Sequence, residues 1–182
     1  MHAVIVYEST YGNTRRIAEA VAEGVHDAAP EADVQCLEAS ATDGGMTRSA
    51  DLLVVGGPTH LRGLSTRLSR RLAASSKIDK DDKDDDKVER RSSGPEPKVA
   101  GTGLRTWFHT LPAARAGARA AAFDTRGESR GSGGAADGIA RRLARHHFDL
   151  VTEPRGFVVR DVAGPLREGE LALAREWGRQ LV

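Results

Sequence analysis

Cysteine, aromatic residues and long apolar runs are all scarce in this chain of 182 residues. Cys36 is the only cysteine, so an intrachain disulfide is impossible and a reducing compartment is expected. The opening run M-H-A-V-I-V-Y has no basic leader and is too short for a signal peptide or a membrane span. We therefore expect a cytoplasmic protein with no membrane partner. Aromatic residues make up 4% of the chain, so a site that needs stacked rings has few available.

An excess of charge of one sign is also absent. The chain has 27 basic and 26 acidic residues, with a net charge of +1. It therefore lacks the overall basic field that drives non-specific binding to nucleic acid, and no nucleic-acid partner is expected. The length is that of one typical domain, and 39% hydrophobic residues suit a soluble globular protein. We expect a single domain over residues 1–182.

Lysine is missing from all of the chain except one segment, since the five lysines lie within 77–98. Residues 77–91 are almost all charged, with both signs interleaved, so they cannot bury a face. We predict a charged flexible insertion at about 75–98, outside the core. Its D-D-D-K run resembles a tag or a protease-site fragment, and natural and engineered origins both stay open. A calcium site is disfavoured because the EF-hand spacing and central glycine are missing, and no metal is predicted.

Apolar runs with the character of buried strands alternate with segments of helical periodicity. The predicted strands are Ala3–Tyr7, Asp33–Leu37, Asp51–Val55, Ala118–Phe123, and a fifth made of Phe148–Val151 with Phe157–Val159. The predicted helices are one that follows Asn13, then Ser65–Ala74, Gly103–Leu111, Ala135–His147 and Glu168–Leu181. Continuous apolar strands separated by helices indicate a parallel sheet covered on both faces. The fold class is α/β, with a three-layer, doubly wound, five-stranded parallel sheet.

The loop after the first predicted strand is dense in polar side chains. It reads Ser9-Thr10-Tyr11-Gly12-Asn13-Thr14 and lies directly before a helix, whose first turn has unpaired N–H groups and a partial positive charge. A helix cap needs one side chain, whereas this loop offers four. The surplus predicts a bound anion, a phosphate. The alternative is that Asn13 or Thr14 only caps the helix and Gly12 only makes the turn.

The run V-I-V-Y-E-S-T-Y-G-N-T closely resembles the signature of the flavodoxin family, and the likeness covers nearly all of the chain outside roughly 75–98. The resemblance implies a flavodoxin-like fold with strand order 2-1-3-4-5 and FMN as the cofactor. It assigns the FMN phosphate to Ser9, Thr10, Tyr11, Gly12, Asn13 and Thr14.

Two later segments resemble the family's flavin-ring loops. One follows the third predicted strand and the other follows the fourth, and the resemblance places them against the two faces of the isoalloxazine. The residues assigned to the ring are Pro58, Thr59, His60, Asp124, Thr125, Arg126 and Gly127. Backbone amides and threonine hydroxyls suit the ring's mixture of donors and acceptors. The alternative for each segment is an ordinary Gly/Pro turn.

The sequence also departs from the family at the ring. Classical flavodoxins sandwich it between aromatic side chains, whereas the corresponding positions here carry His60 and Thr125 or Arg126. The imidazole or the guanidinium is a candidate to stack in place of an aromatic ring. Arg62 and Arg126 near the ring predict a less negative reduction potential than that of acidic flavodoxins.

The function that follows is electron transfer through a bound flavin, with a redox partner protein or a small-molecule acceptor and with no catalytic side chain. Two alternatives stay open. One is an FMN-dependent NAD(P)H or quinone oxidoreductase of the same fold, and the other is a flavin-free descendant that binds another protein. A nucleotide-hydrolysing P-loop is excluded because its glycine-lysine motif is absent.

Overall fold

The computed structural model describes residues 1–60, 63–64, 103–128, 134–161 and 163–182. The strands in these ranges are β1 (His2–Tyr7), β2 (Asp33–Glu38), β3 (Leu52–His60), β4 (Gly63–Leu64), β5 (Arg119–Gly127), β6 (Asp149–Leu150) and β7 (Arg155–Val159). The α-helices are α1 (Asn13–Ala28), α2 (Leu104–Trp107), α3 (Ala135–Arg145) and α4 (Glu170–Arg179). The helix expected at Ser65–Ala74 and the charged insertion expected at about 75–98 lie outside the described residues.

The sheet has the topology that the sequence predicts. Its order is β2-β1-β3-β5, and β6 and β7 both pair with β5, all in parallel. The two-residue β4 is antiparallel to β3. When β6 and β7 are counted as one interrupted edge strand and β4 is left aside, the order is 2-1-3-4-5. The predicted five-stranded, doubly wound α/β fold is confirmed.

Both faces of the sheet are buried, which explains the continuous apolar strands. Side chains alternate along β1, so Val4 and Val6 belong to one core while Ile5 and Tyr7 belong to the other. The first core contains residues of α2 and α3, and the second contains residues of α1 and α4. The described elements therefore form three layers, with the carboxyl ends of β1, β3 and β5 at one edge. Ligands of doubly wound folds bind at this edge.

Two segments expected to be loops are strand ends. β3 continues through Pro58–His60 and β5 continues through Asp124–Gly127, with Pro58 opposite Thr125. Gly, Pro and Asp indicate turns in a sequence, but the pairing of β3 with β5 holds these residues extended. The consequence is that the two segments assigned to the flavin ring lie side by side.

The helix expected at Gly103–Leu111 is short. α2 ends at Trp107, and the chain continues as a turn. The Thr110 hydroxyl donates to the Trp107 carbonyl oxygen at 2.8 Å and accepts from the Gly44 N–H at 2.9 Å. A side chain that bonds to the backbone in this way competes with further helical hydrogen bonds.

Helices α1 and α4 approach closely enough for their backbones to touch. A Cβ atom at Gly24 would overlap the carbonyl oxygen of Arg175, and one at Gly178 would overlap that of Val21. Both positions therefore require glycine because of the contact between helices. No helix within the described ranges is long and apolar enough to cross a membrane.

Ion pairs also join α1 to α4, and they predict a pH dependence. Asp27 accepts hydrogen bonds from Arg175 Nε at 2.7 Å and from Arg179 Nη2 at 2.7 Å. The bond from Arg175 is the main cause that lowers the pKa of Asp27 to about 2. The carboxylate therefore stabilises the fold above its unfolded pKa of about 3.9, and this stabilisation is lost as the pH falls toward 2.

Urea unfolding of wild type and Asp27→Asn measures this effect. We expect the wild type to be more stable at pH 6 and the difference to shrink steadily between about pH 4 and pH 2, the interval between the two pKa values. A difference that is the same at both ends of this interval would show that the charge of Asp27 does not stabilise the fold.

Candidate functional site

The first candidate element is the turn between β1 and α1. Gly12 has a φ of 86°, in the left-handed region that glycine adopts without strain, and its N–H donates to the Ser9 hydroxyl at 3.1 Å. Gly12 also occupies the cap position of α1. Neither Asn13 nor Thr14 is the cap, and no side chain of the described residues accepts a hydrogen bond from the first-turn amides. The first turn contains no acid, so this end of α1 is electropositive.

Three of the four polar side chains of this loop have protein partners. Ser9 accepts from Gly12, Asn13 donates through Nδ2 to the Ala163 carbonyl oxygen at 3.0 Å, and the Thr14 hydroxyl lies 2.8 Å from the Thr125 hydroxyl. The two threonines are buried, and their contact joins the first loop to the end of β5.

Thr10 differs from its neighbours. It is 7% exposed, and its hydroxyl makes no hydrogen bond with any described residue. A buried hydroxyl without a partner costs about 1–3 kcal/mol. Within the described residues, the donors of this loop that are left available to a ligand are therefore the Thr10 hydroxyl and the first-turn amides of α1, together with the hydroxyl hydrogens that Ser9 and one of the paired threonines still have available. Tyr11 completes the loop, and its partial burial raises the pKa of its phenol.

The second element joins the ends of β3 and β5 to the start of α3. Asp124 is fully buried and accepts two hydrogen bonds from Arg126, at 2.6 Å from Nε and 2.9 Å from Nη2. Its Oδ2 also accepts from the Ala136 N–H at 2.9 Å, and the Thr59 hydroxyl accepts from the Ala135 N–H at 3.0 Å. The two strand ends therefore satisfy the first amides of α3.

Arg126 lies in a narrow space. A Cβ atom at Gly134 or at Gly156 would overlap its guanidinium group, so a larger residue at either position would require the Arg126 side chain to shift. The bidentate bond to Asp124 and this close packing fix the side chain, which is 28% exposed. Arg126 is therefore not a mobile cation that could turn toward a ligand.

The structure says less about the remaining residues of the predicted ring site. Pro58 and Thr59 are half-buried on β3, Thr125 is buried and bonded to Thr14, and Gly127 is exposed at the end of β5. The backbone of His60 pairs with that of Gly63, and its side chain lies outside the described part of the structure, as does the whole of Arg62. The predicted stacking role of His60 therefore stays a prediction.

Two contacts at the carboxyl edge of the sheet were not predicted from the sequence. Glu8 is buried directly after β1, and its Oε2 accepts from the Leu104 N–H at 2.8 Å, which holds the start of α2 beside the first loop. Gly164, with a φ of 102°, lies against the Asn13 side chain and brings the segment after β7 to the same loop. The only local signal for the contact at Gly164 was the Gly164-Pro165 pair. Such a pair indicates a turn, but it does not show which residue the turn lies against.

Metal binding finds no support within the described ranges, where no group of three or more His, Cys, Asp or Glu side chains could hold an ion. The aspartates of the charged segment lie outside these ranges. Cys36 is half-buried on β2, and burial raises the pKa of its thiol to about 12. The thiol is therefore neutral at physiological pH and a poor nucleophile.

The parallel sheet with order 2-1-3-4-5 and an electropositive loop after β1 define a flavodoxin-like α/β protein. A family model described as flavodoxin matches residues 5–111, more than half of the chain. The chain belongs to the flavodoxin family, as the first-loop signature indicates.

Solved structures support the fold. A flavodoxin from the domain Archaea is 19% identical, with a TM-score of 0.61, over 100% of this chain and 96% of that one. Oxidised Flavodoxin 1 from Bacillus cereus is 12% identical, with a TM-score of 0.66, over 100% and 97% of the two chains. Two-electron reduced flavodoxin from Megasphaera elsdenii is 17% identical, with a TM-score of 0.57, over 98% and 97%. No curated protein matches the sequence.

Proposed function

We propose that this protein binds FMN at the carboxyl edge of its sheet and transfers electrons through the flavin. The observation that supports it most directly is the combination in the first loop of a helix N-terminus without a side-chain cap and the buried Thr10, whose hydroxyl has no partner among the described residues. Both groups are donors that a phosphate would satisfy. Flavodoxin membership supports the same ligand, because FMN is the cofactor typical of that family.

The groups of the first loop fit a phosphomonoester in charge as well as in hydrogen bonding. Arg15 and Arg16 lie in the first turn of α1, where the helix dipole favours anions and disfavours cations. A phosphate bound at this position would offset the unfavourable interaction between these two positive charges and the helix dipole. The protein groups assigned to it are the loop amides, the Thr10 hydroxyl and the remaining hydroxyl hydrogens of Ser9 and of whichever of Thr14 and Thr125 does not donate to the other.

The ends of β3 and β5 are the proposed borders of the ring. Their pairing places Pro58 opposite Thr125, and the Thr14–Thr125 contact ties that border to the phosphate loop. Thr59, Asp124 and Arg126 are assigned a positioning role, since each already bonds to the protein. The flavin, when bound, supplies the redox chemistry, and the protein supplies its orientation and surroundings.

The net charge at the proposed border of the flavin ring differs from the positive charge that the sequence predicts. Arg126 is paired with Asp124, so the two residues together bring no net charge to the proposed ring site. We therefore expect Arg126 to raise the reduction potential less than its charge alone predicted. Arg62, the other arginine of that prediction, lies outside the described residues.

Titration of the full chain with FMN and with riboflavin, followed by flavin fluorescence, tests the proposal. We expect the wild type to bind FMN more tightly than riboflavin, which lacks the phosphate. Thr10→Val should weaken FMN binding by about tenfold or more, the effect of losing one hydrogen bond to a charged group, and leave riboflavin binding unchanged. Its apo stability should not fall, because the lost hydroxyl has no hydrogen-bond partner in the described part of the chain.

Thr47→Val is the matched control. Thr47 is equally buried, but its hydroxyl donates to the Gly44 carbonyl oxygen at 2.6 Å. This variant should lose stability and keep its FMN affinity. Equal affinity of the wild type for FMN and riboflavin would refute a phosphate site in the first loop, and no binding of either flavin would refute the proposed cofactor.

The same preparation separates the alternative functions. Steady oxidation of NAD(P)H with a quinone, without a separate reductase, would assign the protein to the oxidoreductases of this fold. A flavin that is reduced and reoxidised only through another protein supports the electron carrier. A protein that binds no flavin leaves the flavin-free descendant.

A further inference from the structure

The chain folds back on itself after β7. Two backbone hydrogen bonds and one antiparallel bridge join the outgoing and returning arms. They are the bond from the Arg160 N–H to the Pro165 carbonyl oxygen at 3.0 Å, the bond from the Arg167 N–H to the Val158 carbonyl oxygen at 2.9 Å, and the bridge Val159–Leu166. We call residues 158–161 and 163–167 the C-terminal hairpin. At its tip the Gly164 N–H donates to the Asp161 carbonyl oxygen at 2.9 Å.

The base of the C-terminal hairpin is anchored in the protein. Val159 and Leu166 are buried in the core that contains residues of α1 and α4. Arg167 donates to Glu170 Oε1 from Nε at 3.0 Å and from Nη2 at 2.6 Å, and Glu170 is buried in the first turn of α4. The base therefore fixes where the tip of the hairpin lies.

The tip of the C-terminal hairpin meets the first residue of α1. Asn13 Nδ2 donates to the Ala163 carbonyl oxygen at 3.0 Å, across 150 positions of the chain. Gly164 has a φ of 102°, and a Cβ atom there would lie 2.6 Å from Asn13 Nδ2 and 2.8 Å from its Oδ1. Any larger residue at position 164 would therefore have to displace the Asn13 amide.

Two neighbouring residues hold the start of α1 from two directions. Thr14 is bonded to Thr125 at the end of β5, and Asn13 is bonded to the C-terminal hairpin. Within the loop, the Gly12 N–H donates to the Ser9 hydroxyl. A loop held in one shape presents its amides to a ligand with less ordering cost at binding. The Asn13 amide thus serves the shape of the loop, although the resemblance to flavodoxins assigns it to the phosphate.

We propose that Asn13 is a positioning residue: it ties the first loop to the C-terminal hairpin and keeps the loop in its phosphate-binding shape without contacting the phosphate. The proposal rests on the proposed function for its ligand, whereas the tie itself is a property of the apo protein. A loop released from the hairpin occupies other shapes as well, and the apparent affinity falls with the fraction that remains competent. One exposed hydrogen bond between neutral groups limits that loss to about tenfold.

Titration with FMN and with riboflavin of variants on each side of the contact tests the positioning role. Asn13→Ala removes the donor, and Gly164→Ala displaces the Asn13 amide without changing any group that is proposed to bind the phosphate. We expect each to weaken FMN binding by about three- to tenfold and to leave riboflavin binding within about twofold of the wild type. The double variant should bind FMN within about twofold of Asn13→Ala alone, because both changes break the same contact.

Gly117→Ala is the matched control for backbone strain. Gly117 also has a positive φ, of 76°, but a Cβ atom there would have no neighbour within 4 Å, and the residue lies before the amino end of β5, away from the carboxyl edge. This variant should lose stability and keep its FMN affinity within about twofold of the wild type. If Asn13→Ala weakens FMN binding and Gly164→Ala does not, or if the two losses multiply in the double variant, the proposal is overturned.

Hydrogen exchange of the apo protein, followed by NMR, tests the tie without the flavin. Coupling between the loop and the hairpin acts in both directions. Asn13→Ala should therefore speed exchange of the Gly12 amide on one side and of the Gly164 amide on the other by about threefold or more. A residue that only contacted the phosphate would leave exchange at Gly164 unchanged. Because this measurement needs only Asn13→Ala, it holds even if Gly164→Ala does not fold.

Unchanged exchange at Gly164, or wild-type FMN affinity in Asn13→Ala, would also overturn the proposal. A wild type that binds no flavin refutes the proposed function instead, and the exchange rates then decide whether Asn13 ties the loop to the hairpin. The two failures are thus distinguishable, since one is measured on the wild type with flavin and the other on the variant without it.

Discussion

Asp124→Ala is expected to destabilise the protein by about 2–3 kcal/mol, because it leaves the half-buried Arg126 guanidinium and the buried Ala136 amide without their acceptor. Asp124 is fully buried and holds both Arg126 and the Ala136 amide. Urea unfolding of the apo protein measures the loss. On the proposed function, FMN affinity should fall as well, since the ends of β3 and β5 would no longer be fixed to α3.

Asp137→Ala is the control for the helix terminus. Asp137 is an exposed acid in the first turn of the same helix, and losing its interaction with the helix dipole should cost only about 0.3–1 kcal/mol. A double-mutant cycle of Asp124→Asn with Arg126→Gln then isolates the ion pair. If Asp124→Ala costs no more than Asp137→Ala, the pair does not hold this edge of the sheet together.

Gly24→Ala is expected to destabilise the protein by about 2 kcal/mol, although alanine is the better helix former. Overpacking costs about 1–3 kcal/mol and sometimes more, against a helix-propensity gain of about 1 kcal/mol. The added methyl group would overlap the backbone of Arg175, so no side-chain rotation can relieve it. Helices α1 and α4 would have to move apart. Gly178→Ala, which meets the backbone of Val21, should behave alike.

Gly138→Ala separates the steric effect from helix propensity. Gly138 is also inside a helix, but the nearest atom to an added Cβ is the end of the Arg142 side chain at 3.5 Å, an ordinary contact. This variant should be more stable than the wild type by about 0.5–1 kcal/mol. The close approach of α1 and α4 would be contradicted by urea unfolding in which Gly24→Ala and Gly138→Ala shift stability in the same direction.

The strands and the strand order were accessible from the sequence because their signals are local. The apolar run Asp51–Val55 and its counterparts predict buried strands from residue type alone, and the first-loop signature Ser9–Thr14 identifies the family. The boundaries were less accessible. β3 and β5 extend through their Gly, Pro and Asp residues because each strand is the other's neighbour, which no single segment reveals.

The candidate site was predicted in place but not in detail. Residue type and position brought attention to the loop after β1 and to the ends of β3 and β5, which lie at the same edge of the sheet. The sequence could not show that Asn13 is bonded to Ala163 or that Glu8 is bonded to Leu104. It also could not show that the charge of Arg126 is neutralised two residues away by Asp124, since charged residues at this spacing on a strand point the same way but need not pair.

The sequence by itself determined the alternation of strands and helices, the doubly wound sheet and the family, because hydrophobic periodicity and a short glycine-containing loop are properties of neighbouring residues. The tertiary structure decided which polar groups are already bonded and which are left for a ligand. Thr14 and Thr125 are 111 positions apart in the chain and share a hydrogen bond, while Thr10 is buried and its hydroxyl bonds to none of the described residues. Hydrogen bonding is satisfied in space, between groups that the fold brings together, so the free donors of a site are known only once the chain is folded.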